Sequence, residues 1–251
     1  MKILLSPAKL MRNLPNENTT EPSFQVQAIH LAKVLAKWSV QHYVQRMGLS
    51  KDKAKETQAL MKNWLVEQGS AVPTPVIFTY IGEAFKALDV MTLDSGAQLY
   101  LNEHVYILSG LYGLLSANDG VLPYRLEMAQ KLAITKNQQS LYAFWRPQVE
   151  AFLTSHLDAN EPILNLASSE YSDLIQDQKL VNRMLTPVFK ENKGGKLQSV
   201  SVFSKQARGT MARWCAFEKI SDPQQIKDFK LMGYAFQADL SDEKNYFFVR
   251  T

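Results

Sequence analysis

The sequence predicts a mixed α/β fold in which a central, mostly buried sheet is flanked by helices. Short segments rich in apolar and β-branched residues alternate with longer segments of helical periodicity. Several short segments are apolar without alternation, which is typical of central strands covered on both faces. The predicted strands are residues 2–6, 105–109, 163–167, 199–203 and 246–249.

Three segments between these strands show clear helical patterns. Apolar residues recur at three- and four-residue intervals within 26–38, 141–153 and 211–215. Residues 68–75 and 190–196 are rich in Gly, Pro, Ser or Asn and are predicted to be loops. A chain of 251 residues, 46% of them hydrophobic, lies near the size at which one domain stops growing, so we expect a single domain spanning 1–251.

The composition favours a cytoplasmic protein without a membrane partner. The apolar run at the start is too short for a secretory leader, and no later stretch approaches the roughly 20 apolar residues that a spanning helix needs. The single cysteine, Cys215, excludes an intramolecular disulfide and is expected to lie in the core.

Basic residues are concentrated in two segments. Residues 179–213 hold eight basic side chains and one acidic one, Glu191, and residues 46–62 hold five basic and two acidic. Because the net charge of the whole chain is only +4, the remainder is acidic. This asymmetry indicates either contact with a polyanion such as nucleic acid or two solvated surfaces.

One basic segment contains the pattern of a helix-hairpin-helix element, inserted after the first strand at about 26–66. A short turn separates two helical patterns, and lysines are frequent in the second. Such a turn exposes backbone N–H groups at the start of a helix, where an anion is favoured, and lysines neutralise phosphate charge without reading bases. The alternative is an ordinary capped helix start. The residues predicted to contact double-stranded DNA are Gly48, Leu49, Ser50, Lys51, Lys53 and Lys55.

Polar, turn-forming sequence follows four of the predicted strands. In open α/β sheets the carboxyl ends of strands converge on one edge, where ligands bind, although Ser and Asn there are also ordinary helix caps. Arg125 and Glu127, two residues apart on an extended segment, are predicted to point the same way, either to pair with each other or to face a ligand. The predicted cleft consists of Lys9, Ser109, Tyr112, Arg125, Glu127, Asn165, Ser168, Glu170, Tyr171, Lys205 and Arg208.

Several familiar motifs are missing from the sequence. It has no Walker loop, no GxGxxG, no HExxH and no CxxC, and its four histidines lack metal-ligand spacing. We therefore expect no metal site and no cofactor, and the residues alone identify no catalytic group.

Longer motifs together resemble one known family. They are KILLSPAK at 2–9, SGLYG at 109–113, PYRLEM at 123–128, NLASSEY at 165–171, ARG at 207–209 and FVR at 248–250. In this order, and over nearly the whole chain, they are similar to the YaaA family of peroxide-stress proteins. PYRLEM and NLASSEY are the specific motifs.

The resemblance implies an α/β core with a helix-hairpin-helix element, binding to double-stranded DNA, and protection during peroxide stress that keeps free iron low. We expect any effect on iron to be indirect. The chain departs from the family pattern at Ala129, at Ser116 and Ala117, and over the run GEAF at 82–85. These departures indicate a different ligand, or weaker binding, in the cleft.

Three functional hypotheses follow. The leading one is a DNA-binding stress protein that grips phosphates without sequence preference through the hairpin and residues 179–213. The alternative is an enzyme that acts on a nucleobase or nucleotide, with a small-molecule ligand in the cleft. The third is a stress protein that acts through protein partners.

Overall fold

The fold centres on a mixed sheet flanked by helices, as the sequence predicts. The computed structural model describes residues 1–130, 132, 134 and 138–250. Within them the strands are β1 (Lys2–Leu5), β2 (Thr74–Pro75), β3 (Val105–Ser109), β4 (Gly113–Ser116), β5 (Gly120–Val121), β6 (Ile163–Leu166), β7 (Met184–Lys193), β8 (Lys196–Gln198), β9 (Tyr234–Phe236) and β10 (Asn245–Arg250). The α-helices are α1 (Gln25–Ala36), α2 (Val40–Met47), α3 (Lys51–Glu67), α4 (Val76–Thr79), α5 (Glu83–Leu88), α6 (Ser95–His104), α7 (Leu141–His156), α8 (Ser169–Ser172), α9 (Gln178–Val181) and α10 (Ser201–Glu218).

Parallel strands form the centre of the sheet, in the order β3-β1-β6-β7-β10. The antiparallel strands β4 and β9 lie at its two edges, β8 pairs with the end of β7, and β2 and β5 form a separate pair. The chain passes from β1 to β3 on one side and later to β6 on the other. Such a switch in strand order opens a crevice at the carboxyl ends of the strands.

Four of the five predicted strands are confirmed, as β1, β3, β6 and β10. The fifth, at 199–203, is wrong because α10 begins at Ser201. The alternating sequence there fits a strand locally, but the helix that continues from it buries Ala207, Met211 and Cys215 in the core, and this packing overrides the local pattern. Lys205 and Arg208 therefore lie one turn apart on a helix rather than in a loop after a strand.

The loop predicted at 190–196 is also wrong over most of its length. β7 extends to Lys193 with alternate side chains buried, the chain turns at Gly194 and Gly195, and β8 begins at Lys196. Pro187 lies within β7, and a proline in a central strand argues against a strand when only the sequence is read. The loop predicted at 68–75 ends at Thr74, where β2 begins.

The predicted helical patterns correspond to α1, α7 and α10. Cys215 is buried, as expected. No helix of the part of the chain that the structure describes is both long enough and apolar enough to cross a membrane.

Helices α5 and α10 pack at very short range because Gly209 has no side chain. A Cβ added at Gly209 would lie 1.8 Å from the carbonyl oxygen of Ala84 on α5. This close packing of α5 and α10 explains why the ARG motif at 207–209 ends in glycine. The α5–α10 contact sets the separation of two helices whose charged residues face a common cleft.

Gly209→Ala is expected to destabilise the protein by about 3 kcal/mol or more, since the clash is with backbone and cannot relax by a rotamer change. For a chain of this size the midpoint of thermal unfolding, Tm, should fall by about 6 °C or more. The matched control is Gly96→Ala in α6, where the nearest atom to an added Cβ is 3.4 Å away. Its Tm should be unchanged or higher because alanine is the better helix former. An unchanged Tm in Gly209→Ala would contradict the close packing.

Candidate functional site

The predicted hairpin lysines follow a tight turn between α2 and α3. Gly48 ends α2 with φ of +63°, the left-handed region that favours glycine. Ser50 caps α3 by accepting a hydrogen bond from the backbone N–H of Lys53 at 3.4 Å. The capped helix start is therefore observed, and the helix-hairpin-helix interpretation of this turn stays a prediction.

The helical element is fixed to the core by buried aromatic residues. The Tyr43 hydroxyl of α2 donates to the carbonyl of Leu35 on α1, and the indole N–H of Trp64 on α3 donates to the Tyr112 hydroxyl at 3.1 Å. Trp64 and Tyr43 are fully buried. The exposed lysines at the start of α3 are consequently presented on a rigid support.

A cleft of about 640 Å³ opens at the carboxyl ends of β1 and β6, at the switch in strand order. Ser6 and Ser168 tie these two strand ends together, because the Ser168 backbone N–H donates to the Ser6 hydroxyl at 2.8 Å. The deeper lining includes apolar residues such as Leu5, Phe85 and Leu126. We define the cleft by its polar and charged residues: Ser6, Lys9, Lys53, Glu83, Lys86, Tyr124, Arg125, Glu127, Ser168, Ser169, Glu170, Tyr171, Lys205 and Arg208.

Most of the predicted cleft residues line the cleft. Arg125 and Glu127 both line it, and so does the buried Leu126 between them. They do not pair with each other, since Glu127 instead forms an ion pair with Lys9 at 3.0 Å. The predicted residues found in the lining are Lys9, Arg125, Glu127, Ser168, Glu170, Tyr171, Lys205 and Arg208.

Three predicted residues, Ser109, Tyr112 and Asn165, are buried and lie outside the cleft lining. The Ser109 hydroxyl accepts hydrogen bonds from the backbone N–H groups of Leu111 and Tyr112. The Asn165 side chain accepts from the N–H of Ala167 in the same way. Polar residues at these strand ends therefore stabilise the turns that follow, and neither residue caps a helix, which was the alternative to a cleft role.

The charges of the cleft are unevenly paired. Six basic side chains face three acidic ones. Lys9 pairs with Glu127, and Lys86 pairs with Glu83 at 3.2 Å. Glu170 accepts a hydrogen bond from the backbone N–H of Ala129 at 3.3 Å. The basic side chains that form no ion pair within the described residues are Lys53, Arg125, Lys205 and Arg208.

Arg208 is the most unusual of these cations. Its Nε atom is shut off from solvent and has no hydrogen-bond partner among the described residues. Burial lowers the pKa of the guanidinium from its ordinary value, yet the group stays protonated at any physiological pH. A buried donor without a partner costs about 1 to 3 kcal/mol, and more when it is charged. The fold therefore sustains an unfavourable charge at the wall of the cleft.

Sequence reasoning missed some residues of the cleft. Glu83 and Lys86 on α5 lie in it, and the Gln206 amide donates to Glu83 at 2.7 Å. This hydrogen bond and Lys86 hold the pKa of Glu83 below its ordinary value. Tyr124, whose pKa burial raises to about 12, lies at the wall and shares a hydrogen bond with Ser109. The sequence signal for α5 was the departure from the family pattern at 82–85, because these residues form part of this wall of the cleft.

Arg208→Met is expected to raise the free energy of unfolding by about 1 to 2 kcal/mol, because it removes an unpaired, largely buried charge. The corresponding rise in Tm is about 3 °C or more. The matched control is Arg213→Met on the same helix. Arg213 donates to the carbonyls of Leu88 and Asp89, so its loss should lower Tm by a similar amount. A Tm that falls in Arg208→Met as it does in Arg213→Met would contradict the assignment of Arg208 as unpaired.

Comparisons with known proteins identify the family of the chain. The family model described as peroxide stress protein YaaA matches residues 1–240. A UPF0246 protein of Ruegeria pomeroyi is 36% identical over 253 residues, covering 100% of this chain and 98% of the relative. A UPF0246 protein of Neisseria meningitidis serogroup B is 34% identical over 256 residues, with 100% and 98% covered. Another, of Flavobacterium psychrophilum, is 35% identical over 253 residues, with 100% of both chains covered. The chain therefore belongs to the YaaA family of peroxide stress proteins.

Proposed function

We propose that this peroxide stress protein binds double-stranded DNA without sequence preference, through the hairpin turn and the cleft acting as one basic surface. The observation that carries the proposal is the position of Lys53. This lysine lies in the first turn of α3, beside the hairpin turn, and it also lines the cleft. Phosphates held at the hairpin would therefore lie next to the unpaired cations of the cleft.

The hairpin turn suits phosphate contact for electrostatic reasons. The amino end of α3 carries the positive end of a helix dipole, and Lys51, Lys53 and Lys55 are exposed around it. Asp52 is the acidic residue of this first turn. Contacts of this kind go to the DNA backbone, so they position a duplex without reading its bases.

The second basic segment, 179–213, contributes through only part of its length. Lys205 and Arg208 face the cleft. The guanidiniums of Arg183 and Arg213 instead donate to backbone carbonyls, which gives them structural roles. The proposed DNA surface therefore takes Lys205 and Arg208 from this segment and does not need the rest.

DNA binding should depend steeply on salt concentration. If roughly four to six phosphates are neutralised, the slope of log affinity against log salt is expected to be about −4 to −5. Replacing Lys51, Lys53 and Lys55 together with Glu should lower the affinity for a random duplex on the order of a hundredfold near 0.1 M salt and make the slope shallower by about 3. Fluorescence anisotropy over a salt series measures both quantities.

The control for net charge replaces three exposed lysines outside this surface, Lys219, Lys230 and Lys244, with Glu. It changes the charge of the protein equally and should retain most of the affinity. Equal losses in the two triple variants would mean that only net charge matters. An unchanged affinity in the folded hairpin variant would contradict the hairpin assignment.

A second candidate function is an enzyme that acts on a nucleobase or nucleotide in the cleft. The observation that favours it is the presence of carboxylates beside unpaired cations, since a site that only holds phosphates has no use for Glu127 or Glu170. Carboxylates of this kind serve as general acids or bases. The DNA-binding surface would then deliver the substrate.

Glu127→Gln is expected to separate binding from a cleft-dependent activity. The Lys9 side chain that pairs with Glu127 is 66% exposed, so loss of this pair should change stability by less than about 1 kcal/mol. We expect the variant to bind duplex DNA normally and to fail in a peroxide-survival complementation assay. The control is Glu243→Gln at an exposed position outside the cleft, which should protect like the parent. Full protection by Glu127→Gln would exclude a functional carboxylate at this position.

A further inference from the structure

We propose that Arg208 and Lys205 form a phosphate subsite, and that the cleft holds one nucleoside phosphate unit with its phosphate on these two side chains. This inference rests on the proposed function, because it gives the cleft a ligand related to DNA. It goes further by assigning the chemical class of that ligand and the residues that bind its anionic group.

Arg208 supports a phosphate subsite because it is a cation whose buried Nε–H lacks an acceptor in the part of the chain that the structure describes. Its Nε has no partner among the described residues, and its guanidinium lines the cleft. A guanidinium presents a planar fork of donors that matches the oxygens of a phosphate. The terminal N–H groups of this guanidinium also have no acceptor among the described residues, and a phosphate bound in the cleft would accept from them.

Lys205 supports the subsite because it places a second positive charge near Arg208. Lys205 precedes Arg208 by three residues on α10, so both side chains lie on the same helix face and both line the cleft. Hydrogen bonds from Gln206 and Lys86, and to a smaller extent the charge of nearby Lys205, lower the pKa of Glu83 on α5. The Glu83 carboxylate nevertheless forms no ion pair with Lys205. Two cations that form no ion pair within the described residues can together hold one phosphate, either the doubly charged phosphomonoester of a mononucleotide or the singly charged phosphodiester of a DNA strand.

The third argument is the size and lining of the cleft. At about 640 Å³ it has the volume of a pocket for a small organic ligand, and a phosphate ion alone would leave most of it unfilled. Apolar side chains such as Leu5, Phe85 and Leu126 line the rest of the wall. Ser168 and Glu170 add hydrogen-bonding groups at the end of β6. A sugar and base attached to the phosphate would satisfy both kinds of surface.

The nucleoside phosphate has two sources, a free mononucleotide or a nucleotide swung out of a DNA strand. Extrusion of an unpaired or damaged nucleotide costs less than extrusion of a paired one. Because Lys53 connects the hairpin surface with the cleft, a strand held at the hairpin is close enough to present such a nucleotide. The two sources share the same phosphate contacts and are separated by experiment.

Thermal shift and calorimetric titration of the full chain with dCMP, deoxycytidine and inorganic phosphate test the subsite. At about a hundred times its Kd, dCMP should raise Tm by about 5 °C or more. Deoxycytidine and inorganic phosphate should each give a much smaller shift. Arg208→Met should abolish the dCMP shift, Arg208→Lys should weaken it, and Lys205→Met should reduce it independently. Lys230→Met, at an exposed position outside the cleft, should bind dCMP like the parent.

The proposal that Arg208 and Lys205 hold a nucleoside phosphate is overturned if dCMP gives no shift, if deoxycytidine gives the same shift as dCMP, if inorganic phosphate alone reproduces it, or if Arg208→Met and Lys205→Met both keep it. A duplex with one extrahelical cytidine separates the sources. Tighter binding than to the paired duplex, lost in Arg208→Met, supports a nucleotide of DNA, whereas equal binding supports a free mononucleotide.

Different results would refute the proposed DNA binding and the proposed phosphate subsite. The double variant in which Lys51 and Lys55 become Glu keeps Lys53, so it should lose duplex affinity while the dCMP shift remains. A parent protein that binds dCMP but no duplex would refute DNA binding and keep the subsite. A protein that binds duplex with no dCMP shift would refute the subsite and keep DNA binding.

Discussion

The close contact between α5 and α10 is the constraint on which the cleft depends. Only glycine at 209 lets the two helices approach so nearly, and each helix carries charged residues into the cleft. The start of α5 is tied in turn to the segment after β1, since the N–H of Ile81 donates to the carbonyl of Leu10. The sheet, the loop after β1 and the two helices thus hold the charges in fixed positions, which allows an unpaired guanidinium to persist.

The architecture separates residues that stabilise from residues that are available to a ligand. Glu191, the acidic residue of the basic segment, is buried with Arg250 and the Tyr234 hydroxyl and has no part in the cleft. Arg213 satisfies backbone carbonyls at the end of α5. The Arg208 side chain, on the same helix, forms no hydrogen bond or ion pair within the described residues. Perturbed, unsatisfied groups of this kind concentrate at functional sites, where stability is exchanged for readiness to bind.

Four of the five central parallel strands could be predicted from the sequence, because they are short apolar segments bounded by turn residues, whereas β7 could not. Much of the cleft could also be predicted, because Lys9, Arg125 and Glu127 lie in polar segments near strand ends. Other features depend on contacts distant in the chain. The side chains of Ser109 and Asn165 turn back onto their own loops, which residue type does not reveal. The alternation at 199–203 fits a strand until packing against the core makes it helical. Lys53 lies beside both the hairpin turn and the cleft because α3 approaches the segment that follows β1, and no local pattern specifies this approach.

The central claim is that the hairpin and the cleft form one continuous basic surface for DNA. Lysine acetylation followed by mass spectrometry, with and without a saturating duplex at low salt, tests it most directly, because the lysines concerned are exposed. Bound duplex is expected to protect the lysines of both regions and to leave the tip of the β7–β8 turn reactive. The protected set is Lys9, Lys51, Lys53, Lys55 and Lys205, and the reactive set is Lys193 and Lys196. Protection confined to the β7–β8 tip, or to the hairpin lysines while Lys9 and Lys205 react as in the free protein, would contradict it.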